Sequence, residues 1–389
     1  MDINNKSVKT EKKSVIKILI IFVFVTVALV LIALYITNED FRNNIDKNIL
    51  KKNLTEENLK TIQINSEENP IIYAYDKYIT ILNKNVLTLY NKDGQITATI
   101  NVNINNPIID SNNKYLVLAE KKGKKFYVTS ESNLLWQKDV DGEISGITVN
   151  KNGYVSVIIT NTTHKSVIIT YDSTGTELFK TFLSKKYALC TSISDDNKYL
   201  AIGEINYSGS IIKSSVKIIS IEEARKTTDN VIVHTYEAEN GEILSNLKYY
   251  GKNNVICMFT NYIESVSIDG DEKVLDIDNY TSFLDINLNN QIIKVEKEST
   301  GLFSNSYQMR IINPENKKEN LYILNNGIPK EVKVYGNIIL MNLGTEVEIV
   351  DTNGWLLKKY TSKKQIKDVV LSDNIVGIIY KDKIEIINI

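Results

Sequence analysis

The sequence predicts an all-β fold, a β-propeller of eight four-stranded blades preceded by one N-terminal transmembrane helix. Three observations carry that expectation. Nineteen consecutive uncharged residues, Ile18 to Ile36, lie near the N-terminus. From about residue 58 helical periodicity gives way to short runs rich in Ile, Val, Tyr and Leu, broken by Asn, Asp, Gly and Lys, the pattern of strands and tight turns. One turn-plus-strand piece recurs eight times at a spacing near 40 residues, a period typical of propeller blades.

The apolar run, ILIIFVFVTVALVLIALYI, has Thr26 as its one clearly polar side chain. At about 1.5 Å per residue it spans roughly 29 Å, close to the hydrocarbon thickness of a bilayer. Lys6, Lys9, Lys12, Lys13 and Lys17 precede it against Asp2 and Glu11, while Asn38, Glu39 and Asp40 follow. By the positive-inside rule residues 1–17 are expected in the cytoplasm, 18–36 in the membrane and the remainder outside. A cleaved signal peptide would need a shorter core and small residues before the cut. Here the run ends in Leu34, Tyr35 and Ile36 with no A-x-A pattern, so an uncleaved anchor is expected. Residues 37–57 are polar, with Phe41, Ile45 and Ile49 four apart, as in a juxtamembrane stalk or a short amphipathic helix. Seventeen cytoplasmic residues are too few for a folded output domain, so the work of the chain is expected outside.

At 389 residues, 43% apolar and 24% charged, the composition is that of a globular protein. The chain carries a formal −1, of which the first 17 residues contribute +3, leaving −4 for the rest. A weakly acidic exterior does not attract phosphate backbones, and no nucleic-acid partner is expected. Cys190 and Cys257 both sit inside apolar runs (YALCTSI, NVICMFT). Two cysteines are too few for a disulfide scaffold, and small buried hydrophobes are expected, with a single disulfide as the alternative.

The recurring piece is an acidic or Asn-rich turn followed by an apolar strand: YDKYITIL, SNNKYLVLA, NKNGYVSVII, DDNKYLAIG, GKNNVICMF, LNNQIIKV, YGNIILMN and SDNIVGII. Anchored on Tyr78, Tyr115, Tyr154, Tyr199, Val255, Ile292, Ile338 and Ile375, the spacings are 37, 39, 45, 56, 37, 46 and 37. These runs alternate little, so both faces should be buried. Unit three shows four strands most clearly: ISGITVN, YVSVIIT, SVIITYD and, after a DSTG turn, ELFKTFL. The last unit supplies only DVVL, IVGIIY and KIEIINI. An unpaired apolar edge is an aggregation hazard, so a partner is expected upstream, and LKTIQIN (Leu59 to Asn65) is assigned to close blade eight beside KIEIINI. The propeller then runs from 58 to 389; seven blades is the alternative count.

SISDDNKYLAIGE is similar to a turn of WD-repeat and YVTN-type propellers, and TYDSTGTELFK, LYNKDGQITATI and IVDTNGWLLKK resemble the turn between outer strands of quinoprotein-like propellers. With its single anchor the whole resembles membrane-anchored propeller proteins of unknown function from Gram-positive bacteria. The quinone-dependent enzymes of that class carry a Trp in most repeats. Only Trp136 and Trp355 occur here, so no cofactor is expected.

Catalytic motifs are missing: there is no G-x-S-x-G, H-E-x-x-H or P-loop pattern. His164 and His234 are the only histidines and are expected on the surface, on a loop and an outer strand, rather than at a metal. The acidic stretches DVDGE (139–143) and SIDGDE (267–272) do not meet the calcium-loop spacing, which with Gly142 at position six would place Gln137 first and Thr148 last. They are expected as turns. A non-enzymatic binding or scaffolding module at the cell envelope is therefore expected, with an extracytoplasmic hydrolase-like enzyme as the alternative.

Long second-to-third-strand loops place the candidate site. INYSGSIIKSS, TNYIES and EKESTGLFSNSYQ fall in units four, five and six and would bring Tyr207, Tyr262, Phe303 and Tyr307 to one rim amid Ser, Asn and Gly. Tyrosine with small polar neighbours offers contact area at low entropic cost. The expected partner is an envelope protein or polysaccharide, and the competing expectation is that these aromatics pack beneath their own loops.

Overall fold

The computed structural model of the chain describes residues 4–38, 41–42, 45–46, 49–50, 52–54, 59–227, 231–286, 291–297, 306–325, 327–373 and 375–389. The chain divides into two compact units, the first holding residues 1–55 with 358–361 and the second the rest.

In the first unit a single helix, α1 (Asn4–Thr37), contains the apolar segment. Its stretch Lys17–Thr37 is long and apolar enough to cross a membrane, and none of it is buried within the protein. The hydroxyls of Thr26 and Thr37 donate back to the carbonyls of Phe22 and Ala33, each at 2.8 Å, so these polar atoms are satisfied inside the helix, as an apolar solvent requires. Beyond it, Tyr35 donates to Asp46 at 2.6 Å and accepts from Lys52 at 2.7 Å. The two-residue strand Asn53–Leu54 pairs in parallel with Lys359 and Tyr360.

The eight blades follow in chain order as antiparallel sheets. Their inner strands are Ile71–Tyr75, Pro107–Asn112, Glu143–Val149, Tyr187–Ile193, Asn246–Tyr250, Thr281–Asp285, Glu331–Tyr335 and Asp368–Ser372. Their second strands are Tyr78–Asn83, Tyr115–Glu120, Val155–Thr160, Tyr199–Asn206, Asn254–Met258, Ile292–Lys297, Ile338–Asn342 and Ile375–Ile379. Each repeat anchor lies within one residue of the start of a second strand, which fixes the count at eight. Those strands are buried almost throughout, Val155–Thr160 and Ile375–Ile379 being examples. A run covered on both faces needs no polar alternation.

Apolar layers fill the seams between consecutive blades. Between blades 2 and 3, Val117, Phe126 and Val128 meet Ile144, Val157 and Ile169. The Trp136 ring stands edge-on to Phe126 at 5.6 Å, and its Nε1 donates to Ser173 O of the next blade at 3.0 Å. Burying one such aliphatic side chain contributes about 1.5–3 kcal/mol.

The recurring D-x-x-G turn has one geometry. Asp172 Oδ1 accepts from the backbone N–H of Thr174 and Thr176, both at 2.9 Å. Asp351 does the same for Asn353 and Trp355 at 3.0 and 2.8 Å, and Asn91 for Asp93 and Gln95 at 3.0 Å. Gly175 follows at φ +84°, where a Cβ would lie 2.8 Å from Trp136 Cδ2. Left-handed backbone and close approach together demand glycine.

Closure joins sequence-distant strands. Within the Leu59–Asn65 segment, Lys60–Gln63 pairs antiparallel with Lys383–Ile386, completing blade 8 as its outer strand. Ile62, Ile375, Ile384 and Ile386 then share one layer with Ile79 and Ile81 of blade 1.

DVDGE spans the connection from the outer strand Asn133–Asp139 to the inner strand of blade 3, and SIDGDE the turn into Gly270–Asp276. His164 lies in a loop with Nδ1 2.9 Å from Ser184 Oγ, while His234, on the outer strand Ile232–Glu237, has Nε2 2.8 Å from Asp271 Oδ1. Cys190 and Cys257 are free thiols, and burial pushes the Cys190 thiol up to about 12.

Candidate functional site

Antiparallel order gives the ring two rims. Turns from inner to second and from third to outer strand share one, the turn rim; second-to-third-strand loops and blade connections share the other, the loop rim. The closing strand Lys60–Gln63 is antiparallel to the third strand of blade 8, so the chain enters the ring from the turn rim. The blade 4 loop, residues 207–212, sits opposite, on the loop rim.

The three expected aromatics among the described residues do not gather there. Tyr207, at the head of the blade 4 loop, is 55% exposed. Tyr262 is a correction: it heads the third strand of blade 5 rather than the loop and is buried. Its ring stacks on Phe259 at 4.9 Å, and its hydroxyl lies 3.0 Å from that of Tyr236. The short connection 259–261 leaves no room for it to turn outward. Tyr307 begins the third strand of blade 6 and is half-buried against the layer shared with blade 7. Phe303 lies outside the described residues.

What Tyr207 does meet is Tyr187, the first residue of the same blade's inner strand, with ring centroids 5.1 Å apart and planes inclined by 13°. Lys165, from the blade 3 loop, holds its Nζ 4.9 Å from the Tyr187 centroid and 5.4 Å from that of Tyr207, and donates to Ser208 Oγ at 3.2 Å. Such cation–π contacts fix the loop and hold the stacked pair at the surface. Ile211 and Ile212 follow in the same loop, both exposed. Tyr187 and Lys165 escaped the loop-length argument because neither is in an insertion. The signal was topological: the blade connection SKKYALC opens on the same rim as the loops.

A second site lies on the ring axis, which sequence reasoning missed entirely. Inner strands of six blades line a cavity of about 280 Å³, and those of blades 1 to 5 line an adjoining one of about 380 Å³; Tyr73, Ser111, Asn112 and Lys248 line both. Asp110 Oδ2 accepts from Val149 N at 2.8 Å, Ser111 Oγ donates to the Tyr73 hydroxyl at 3.1 Å, and the hydroxyls of Thr148 and Thr191 are 3.3 Å apart. Burial pushes the Asp110 carboxyl above its usual range. It pushes the Lys248 ammonium below its own, against the pull of Asp110, Asp285 and Asp195. The Tyr73 hydroxyl rises to about 12 by burial. Near the loop-rim end, Asp368 is raised to about 7 by burial and by its hydrogen bond to Glu331, which in turn pairs with Lys333 at 2.5 Å.

The available signal was a charge in the middle of an otherwise apolar inner run: Asp110 in PIIDSN, Lys248 in NLKYY, Lys333 in EVKVY. In a strand whose neighbours pack into the seams, the residues between them face the axis. Among the described residues no group of three or more His, Cys, Asp or Glu side chains is placed to hold a metal ion.

Two solved structures share this architecture at low sequence identity. BamB from Moraxella catarrhalis superposes with a TM-score of 0.50 at 10% identity, covering 85% of this chain and 98% of its own. AztD from Citrobacter koseri gives 0.50 at 11% identity, covering 77% and 88%. At that identity the likeness establishes the fold alone. No curated protein matches the sequence significantly. One family model matches residues 49–389, nearly the whole chain beyond α1, and the chain therefore belongs to that family of unknown function, DUF5711.

Proposed function

We propose that this chain is a single-pass membrane protein, N-terminus in the cytoplasm, whose propeller serves outside the membrane as a non-enzymatic binding or scaffolding module of the cell envelope. Its partner is an envelope protein or polysaccharide, met by the loop rim of blades 3 and 4. The observation that carries this reading is the exposed Tyr207 ring, stacked on the half-buried Tyr187, fixed by Lys165 and flanked by the exposed Ile211 and Ile212. A side chain that merely packs into the core, as Tyr262 does, would be covered; the Tyr207 ring is instead held at the surface on Tyr187, which lowers the entropy lost on binding. The segment Lys17–Thr37 supports anchoring, and the five preceding lysines support the orientation.

The test is capture of envelope material by the full-length chain. A Tyr207→Ala, Ile211→Ser variant should keep the wild-type melting temperature and lose the captured partner. Undiminished capture by the folded variant would remove this site.

A further inference from the structure

We infer that the axial channel is a binding site for an uncharged polyhydroxylated ligand, a mono- or disaccharide. The inference is independent of the loop rim. Two adjoining cavities of about 280 and 380 Å³ meet around Tyr73 and Lys248, within the size range of small-molecule sites. Their lining is built from several blades that the sequence keeps far apart, and it is neither apolar nor of one charge sign. Asp110, Lys248 and Asp285 place acid, base and acid along the wall, with Tyr73, Asn112 and Thr148 between and beside them.

This lining discriminates among ligand classes. An apolar guest would desolvate a carboxylate and an ammonium without replacing their lost water contacts, which is costly for charged groups. An anionic guest would meet the carboxylates of Asp110, Asp195 and Asp285, and a cationic one the ammonium of Lys248 where the two cavities join, so a charge of either sign is brought against its like in a buried site. A hydroxyl group donates and accepts at once. One hydroxyl of a sugar can donate to Asp110 and another accept from Lys248, adding to the contacts these groups already make and leaving their charges unaltered. Two backbone N–H groups, those of Val149 and Ser111, already occupy part of the acceptor capacity of Asp110, and four acceptor sites per carboxylate leave room for a guest. The rings of Tyr73 and Tyr335 supply aromatic walls for the C–H faces of a sugar.

The experiment uses the full-length chain in lipid nanodiscs, free of sugar-based detergent, and measures heats of binding for glucose, N-acetylglucosamine, maltose and cellobiose, with glutamate and putrescine as charged probes. At least one sugar should bind, and neither charged probe should. Lys248→Met should weaken that binding by about tenfold or more, the loss expected when a hydrogen bond to a charged group is removed, measured below the melting temperature of the variant. If that variant does not fold, Thr148→Val takes its place and should weaken binding several-fold. Tyr207→Ala should bind sugar as the wild type does, which separates this site from the loop rim. Binding of none of the sugars, binding of glutamate or putrescine in their place, or wild-type affinity in the folded channel variant would each overturn the inference.

Discussion

Ile62 of the N-terminal closing strand lies directly opposite Ile384 of the C-terminal strand, and both are buried in the layer between blades 8 and 1. The pair joins the two ends of the ring through side-chain packing as well as backbone hydrogen bonds. Ile62→Ala should destabilise the propeller by about 2–5 kcal/mol, the usual cost of deleting a buried branched side chain. The exposed neighbour Thr61→Ala should change stability by less than about 0.5 kcal/mol. Urea titration of both variants checks the difference, and equal midpoints would mean that Lys60–Gln63 does not hold the ring shut.

Orientation in the membrane is open to a direct test. Protease added outside intact protoplasts should degrade the chain beyond residue 36 and spare the lysine-rich tail. Complete protection would reverse the topology.

Tyr262 should behave as a core residue. Truncation to Ala is expected to cost about 3–5 kcal/mol, as for other large buried aromatics, whereas Tyr207→Ala, exposed at the loop, should stay within about 0.5 kcal/mol of wild type. Thermal melts of the two variants decide the matter; a mild Tyr262→Ala would contradict its burial against Phe259.

Two glycines with similar backbone angles should differ in cost. Gly175 (φ +84°) would bring a Cβ to within 2.8 Å of Trp136, while Gly241 (φ +89°) has nothing within 4 Å of that position. Gly241→Ala carries backbone strain alone, about 1 kcal/mol or slightly more. Gly175→Ala adds overpacking of about 1–3 kcal/mol, and chemical denaturation should resolve the gap.

A pH effect follows from Asp368. Its carboxyl is raised to about 7 in the folded protein, first by burial and then by Glu331. The folded state therefore holds a proton that the unfolded chain has released once pH exceeds the ordinary carboxyl range, so this group's contribution to stability falls as pH rises from there to about 7. Glu331 is shifted the opposite way, and its contribution is lost only at acid pH, outside that window. Asp368→Asn should flatten the decline between about pH 4 and pH 7, the span from the ordinary carboxyl range to the raised one, measured as melting temperature against pH. An unchanged slope would place the proton elsewhere.

The ring was legible in the sequence because its second strands are covered on both faces, so Tyr78, Tyr115 and their six counterparts stand out as repeated apolar runs behind a turn. Closure by LKTIQIN was legible for a related reason: KIEIINI has a buried pattern that needs a neighbour. The site was less legible. Loop length singled out one rim as the candidate, yet gave no means of telling Tyr207 from Tyr262, since an offset of a few residues decides whether a ring enters a strand or stays in a loop. Tyr187 and Lys165 come from a blade connection and a neighbouring blade, and only the folded ring makes them neighbours of Tyr207. The channel charges were present as single polar letters in apolar runs, and their meaning depends on which face of an inner strand meets the axis.

The D-x-x-G turns carry a further consequence for sequence change over time. Each Asp or Asn side chain closes its own turn by accepting two N–H groups from the next four residues, and two of these turns are seated on the preceding blade, where Trp136 Nε1 donates to Ser173 O and Asn320 Nδ2 to Thr352 O. All these contacts lie on the turn rim, so insertions at the opposite rim leave them untouched. Loops such as 207–212 are accordingly free to lengthen, shorten or change composition from one related chain to another while the strand framework stays put, and variation among relatives should concentrate on that one rim.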